Sequence, residues 1–146
     1  MQYVNHKEKI TMSEQTLITM PLFIQLAKSI KGKKYHINLN NYRNWHMQVS
    51  NNLKIRYKEM SVAALEDAPT IKANKIAIEY TLYRGDKRDF DLMNILSVHD
   101  KFFCDALVWL GCVPDDNINH IDSFTFKYGG YEKNKGRVEI KITKIE

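Results

Sequence analysis

Apolar positions fall at strand spacing along four stretches of the chain and at helical spacing along two others. KIAIEYTLY (75–83) changes face at every residue and reads as a strand with one buried side. HIDSFTFKY (120–128) and RVEIKITKI (137–145) alternate in the same way, and the turn-rich GGYEKNKG (129–136) between them makes the pair read as a hairpin. TLITMPLFIQL (16–26) is rich in β-branched and aromatic residues, with Pro21 implying an edge or a break. Residues 27–41 form a polar connection. From 42 to 67, Trp45, Val49, Leu53, Tyr57 and Met60 recur at three- and four-residue steps, which predicts a helix with one buried stripe, ended by Ala68-Pro69. Residues 92–111 predict a second helix that stops at Gly111. The order β-α-β-α-β-β predicts one small α+β (or α/β) domain over residues 15–146, with no internal repeat and no linker to divide it. Residues 1–14, with a second plausible start at Met12, are expected to be a loose tail.

Composition narrows the function classes. A chain of 146 residues with 44 % hydrophobic content can build its own core. No apolar run reaches the ~18–20 residues of a membrane span, and the polar N-terminus has no signal-peptide core. The two cysteines, Cys104 and Cys112, lie in an apolar stretch and read as core thiols in a reducing cytoplasm.

The distribution of charge says more than the net value of +5. Gln15 to Lys58 contains no acid and carries Lys28, Lys31, Lys33, Lys34, Arg43, Lys54, Arg56 and Lys58. Eight of the nine aspartates lie between Asp86 and Asp122, offset there only by Lys87, Arg88 and Lys101. A basic region beside concentrated acids suits a protein that holds a polyanion and brings a cation to it. Asp89 and Asp91 stand in the loop before the second helix, and Asp115 and Asp116 in the turn after it. Grouped carboxylates repel unless a hard cation such as Mg²⁺ neutralises them. The plainer reading of Asp91 is a helix cap.

Other chemistries fit less well. DDNINH begins like a calcium loop, but His120 occupies the glycine position and Phe126 the final acidic one. The five histidines show no zinc spacing, and there is no Walker loop or nucleophile elbow.

DFD (89–91), KFFCDAL (101–107) and VPDDN (113–117) together resemble the RusA-type Holliday junction resolvases, small phage-borne endonucleases. That family's pattern is D-x-D-N, a lysine, DAL three residues on, and an acidic pair ten residues after the DAL aspartate. Lys101 to Asp105 and Asp105 to Asp115 repeat the last two spacings. The resemblance implies a homodimer with a mixed sheet packed on helices, cutting opposed strands of a branched DNA in a bacterial cytoplasm with Mg²⁺, for which Mn²⁺ substitutes. It makes Asp89, Asp91 and Asp116 the metal carboxylates, Lys101 a catalytic lysine, and Asp115 and Asn94 supporting residues. Lys28, Lys31, Lys33, Lys34, Arg43, Lys54 and Arg56, with Lys87 and Arg88, would hold DNA phosphates.

One spacing departs from the pattern. Lys101 follows Asp91 by ten residues where the family has four, about 15 Å of rise and roughly 80° out of phase on a continuous helix. The extra residues precede a helix that starts near Asn94, or Lys87 or Arg88 serves the phosphate instead. For Lys101 an ion pair with Asp105 is the alternative. Two other functions stay open: a junction-binding module that cuts poorly, and a hydrolase of a smaller phosphate ester.

Overall fold

The computed structural model describes residues 15–26, 32–66 and 72–146. The expected tail, residues 1–14, lies outside them. β1 (Gln15–Met20) buries Thr16, Ile18 and Met20 and turns the alternate residues outward, the pattern of a strand with one covered face. Pro21 ends it. The chain continues as β2 (Phe23–Gln25), which pairs antiparallel with β3 (Lys34–His36) in a separate two-stranded sheet. The stretch predicted as one strand is therefore two, divided where proline lacks the amide a ladder needs.

The helix predicted over 42–67 is also divided. α1 (Leu39–Asn44) starts under Asn38, whose side chain accepts from the Asn41 amide at 2.8 Å. It stops at Trp45, which turns extended and packs its ring against Tyr35 and Tyr42. α2 (Met47–Glu66) restarts immediately, with His46 Nδ1 accepting from the Gln48 amide. α2 buries Ser50, Leu53, Tyr57, Ser61 and Leu65.

α3 (Leu92–Trp109) begins at Asp91, whose carboxylate accepts from the Met93 amide at 3.0 Å. It ends at Gly111, where φ is +75° and the Gly111 and Cys112 amides bond back to Val108 and Leu107. β4 (Ile76–Arg84), α3 and β5 (Ile121–Tyr131) form a crossover unit with parallel strands, and β6 (Arg137–Lys144) runs antiparallel to β4 and β1.

Strand order is β1-β6-β4-β5. The predicted hairpin of the last two strands does not form, because β4 lies between them. Residues 132–136 cross over the end of β4, with the Glu132 amide on the Arg84 carbonyl at 2.8 Å and the Asn134 amide on the Gly85 carbonyl at 3.0 Å. Alternation fixes which face is buried, and that is the same whichever strand is the neighbour.

The result is a single α+β domain, a mixed sheet with helices on one face. Ile76, Ile78, Tyr80 and Leu82 of β4 and Val138, Ile140 and Ile142 of β6 point into the core. The open face is polar, with Glu79 between Lys127 at 3.0 Å and Lys141 at 3.5 Å. Among the described residues no helix is long and apolar enough to cross a membrane.

The crossing over β4 is tight. A β-carbon on Gly85 would stand 2.8 Å from the Gly136 nitrogen, so backbone would have to move. Gly85→Ala is expected to cost about 1–3 kcal/mol in urea unfolding, the scale of overpacking. An unchanged midpoint would mean that the loop does not lie there.

Candidate metal and nucleic-acid site

The loop from β4 to α3 is built around its charges. Asp86 receives the Arg88 amide at 3.0 Å and the Arg88 guanidinium at 2.9 and 3.2 Å. The Arg88 hydrogen bond holds the Asp86 carboxyl below its ordinary range. Phe90 anchors the loop by packing on Tyr128 and lying beneath Arg84. Asp91 uses one oxygen to cap α3. Asp89 is exposed and makes no hydrogen bond or ion pair with any described residue.

The turn after α3 is also shaped by side chains. Asp115 accepts from the Asp116 amide at 2.8 Å and from the Asn117 side chain at 3.0 Å. Asn117 in turn accepts from the Asn119 amide at 2.9 Å. Asp115 thus holds the turn, and the exposed carboxylate of Asp116 is left without a partner among the described residues.

The expected convergence of Asp89, Asp91 and Asp116 is not formed within one chain. Asp89 and Asp91 precede α3, and Asp116 follows its 18 residues. Among the described residues, no group of three or more His, Cys, Asp or Glu side chains is placed to share a metal ion. The donors suit a hard cation in part. Asp89 and Asp91 offer the one or two carboxylates that Mg²⁺ takes from protein, with water and phosphate completing its shell. The charge of Asp116 is instead felt at Asp100, midway along α3, where it adds to the burial that raises the Asp100 pKa.

Asp100 is the acid to which the sequence assigned no role. It is half-buried and accepts hydrogen bonds from Tyr80 Oη at 2.7 Å and Cys104 Sγ at 3.4 Å. Nothing in the helical periodicity separates it from the exposed acids, because the partner that marks it, Tyr80, is on a different element.

The remaining site residues fall into place as follows. α3 starts at Leu92, so the extra residues before Lys101 are helical and the alternative start near Asn94 is excluded. Lys101 is exposed and forms no ion pair with Asp105. Asn94 Oδ1 accepts from the Asn40 amide at 3.3 Å, tying α1 to α3. Arg88 is engaged by Asp86, while Lys87 lies over the Tyr131 ring.

Of the basic residues, Lys28 and Lys31 lie outside the described residues. Lys33 and Lys54 sit over Tyr35 and Tyr42, and Trp45 touches both rings, so the two cations flank one aromatic cluster. Lys34 lies over Phe23, and Arg43 and Arg56 are exposed. His46 Nδ1 accepts from the Gln48 amide, and His120 Nδ1 lies 2.7 Å from the Asn74 carbonyl oxygen. His99 is fully buried, with Nδ1 at 2.8 Å from Tyr57 Oη and no partner for Nε2. Burial holds its pKa down to about 3, which removes it as a base. Cys104 and Cys112 are free, buried thiols, as expected. No protein-family model matches the chain, and no curated protein matches it in sequence.

Proposed function

We propose that this chain is a divalent-metal-dependent endodeoxyribonuclease that resolves four-way DNA junctions. Mg²⁺ is its ion, with Mn²⁺ able to substitute, and a phage-borne enzyme in a bacterial cytoplasm is its setting. The observation that carries this reading is the condition of three acids. Among the described residues Asp89 and Asp116 have no partner and Asp91 keeps an oxygen free, all on exposed loops flanking one helix. Unneutralised carboxylates there serve no packing purpose. When bound, the ion supplies a water of lowered pKa and polarises the phosphate. Asp89 and Asp91 hold it, and Asp115 presents Asp116 by fixing the turn. Lys87, close to Asp89 in the loop, meets the charge that develops on phosphate, a task Lys101 is too far along α3 to share with Asp91. Lys33, Lys34, Arg43, Lys54 and Arg56, with Lys28 and Lys31, grip the arms through phosphates.

A homodimer is part of this proposal. The exposed stripe of α3 carries Met93, Lys101, Asp105 and Trp109. Two such stripes laid antiparallel about a two-fold axis set Lys101 of each chain against Asp105 of the other. The same pairing carries the 84–91 loop of one chain toward the 113–120 turn of the second. The separation of Asp116 from Asp89 within one chain favours a second reading, a junction-binding module that does not cut.

One assay separates these readings and the small-ester hydrolase. The chain is mixed with a four-way junction, a plain duplex and a generic phosphate ester, in Mg²⁺, in Ca²⁺ and with chelator. Paired nicks in junction arms, in Mg²⁺ and lost with chelator, are expected. Tight junction binding without nicks would establish the binding module, and turnover of the ester alone would establish the hydrolase.

A further inference from the structure

We infer that the solvent face of α2 enters the major groove of a DNA arm and reads base edges through Gln48, Asn51 and Asn52. The inference rests on DNA being the partner, as proposed above. At ~100° per residue, Gln48 and Asn52 project within about 40° of each other and Asn51 lies about 60° to one side of Gln48, opposite the buried stripe. All three are exposed. Their side-chain amides have no hydrogen-bond partner among the described residues.

Neighbouring amides behave differently. Asn38 caps α1, Asn41 donates to the His36 carbonyl at 3.0 Å, and Asn44 donates to the Asn40 carbonyl at 2.8 Å. Three of the four asparagines from 38 to 44 thus do backbone work, while Asn51 and Asn52 on the face of α2 do none. Side-chain amides are the groups that pair with two edge atoms of adenine in the major groove, which is wide enough to admit a helix.

The cations flank these amides on both sides. Lys54 and Lys58 lie along one margin, held over the rings of Tyr42 and Trp109, and Arg56 lies along the other. That is the arrangement a groove demands, bases in the middle and phosphates at either wall. From Leu39 to Lys58 the chain has no acid, and Glu59 closes the basic segment. A protein partner would want an apolar face. Between Gln48 and Glu59 the large exposed apolar residue is Ile55 alone among those described.

The test uses the full chain and a pool of duplexes with a randomised central segment, bound in Ca²⁺ so that cutting does not intervene. The wild-type chain is expected to enrich a preferred sequence, with about five- to 150-fold preference at each base held by a bidentate amide. Combined Gln48→Ala, Asn51→Ala and Asn52→Ala is expected to abolish that enrichment while the salt dependence of binding stays as in wild type. Lys54→Gln with Arg56→Gln is expected to weaken binding to all sequences alike and to lower the salt slope by about two. A pool bound without sequence preference, or a triple variant that keeps the wild-type preference, would overturn the inference and leave the nuclease reading intact. A chain that binds none of the pool, nor a junction, would instead remove DNA as the partner and both proposals with it.

Discussion

Asp89→Asn and Asp116→Asn are each expected to reduce Mg²⁺-dependent junction cutting by about a hundredfold or more, the scale on which removal of one group that stabilises developing charge acts. Junction affinity should hold or rise, because each change removes a negative charge near phosphate. The two residues are chosen because their carboxylates have nothing else to do in the described chain. Asp115→Asn is the contrast. Its oxygens already hold the Asp116 amide and the Asn117 side chain, and an asparagine keeps one acceptor for that turn. Its loss of rate should be smaller than that of Asp116→Asn. Quantified nicking of a labelled junction, with affinity measured in parallel in Ca²⁺, checks all three. Normal cutting by Asp89→Asn or by Asp116→Asn would remove that residue from the site.

The second large effect concerns stability in acid. His99 is fully buried and its pKa is lowered by desolvation to about 3, against about 6.5 in an unfolded chain. Between those values the unfolded state takes up a proton that the folded state refuses. Stability from this group is therefore complete above about pH 6.5 and declines toward pH 3 at up to ~1.4 kcal/mol per pH unit, several kcal/mol in all. Asp100 acts in the opposite direction, since burial raises its pKa and the folded state holds its proton more firmly. His99→Gln keeps a polar partner for Tyr57 Oη and does not titrate. Urea midpoints from pH 7.5 to pH 4 should fall more steeply for wild type than for His99→Gln. Both proteins carry Asp100, so its effect cancels in the comparison, and parallel slopes would show that His99 is not held neutral by the core.

The separate elements of the crossover unit were legible in the sequence, though not their parallel pairing, because each carries a local signal. KIAIEYTLY has a strict period of two, Asp91 is a cap residue before a helical run, and Gly111 supplies the positive φ that ends it. Two features were not legible for one shared reason. The break between α1 and α2 depends on Trp45 packing against Tyr35 and Tyr42, and the order β6-β4-β5 depends on residues 132–136 reaching over Gly85. Both are packing contacts between different elements, which the periodicity of one segment does not record. At the site, the sequence picked out Asp89, Asp91 and Asp116 as acids beyond the needs of packing. It did not reveal that the three are not placed to share one ion within one chain.

The loops on either side of α3 are held to be the place where a divalent ion meets DNA phosphate. A Mn²⁺ titration followed by the loss of backbone amide NMR signals, with the junction present and absent, tests this most directly. Selective broadening of residues 88–92 together with 115–117 is expected, and it should be stronger with junction and absent from an Asp89→Asn, Asp116→Asn double variant. Broadening centred anywhere else on the chain, or signals at both loops that persist with Mn²⁺ and junction bound, would contradict it.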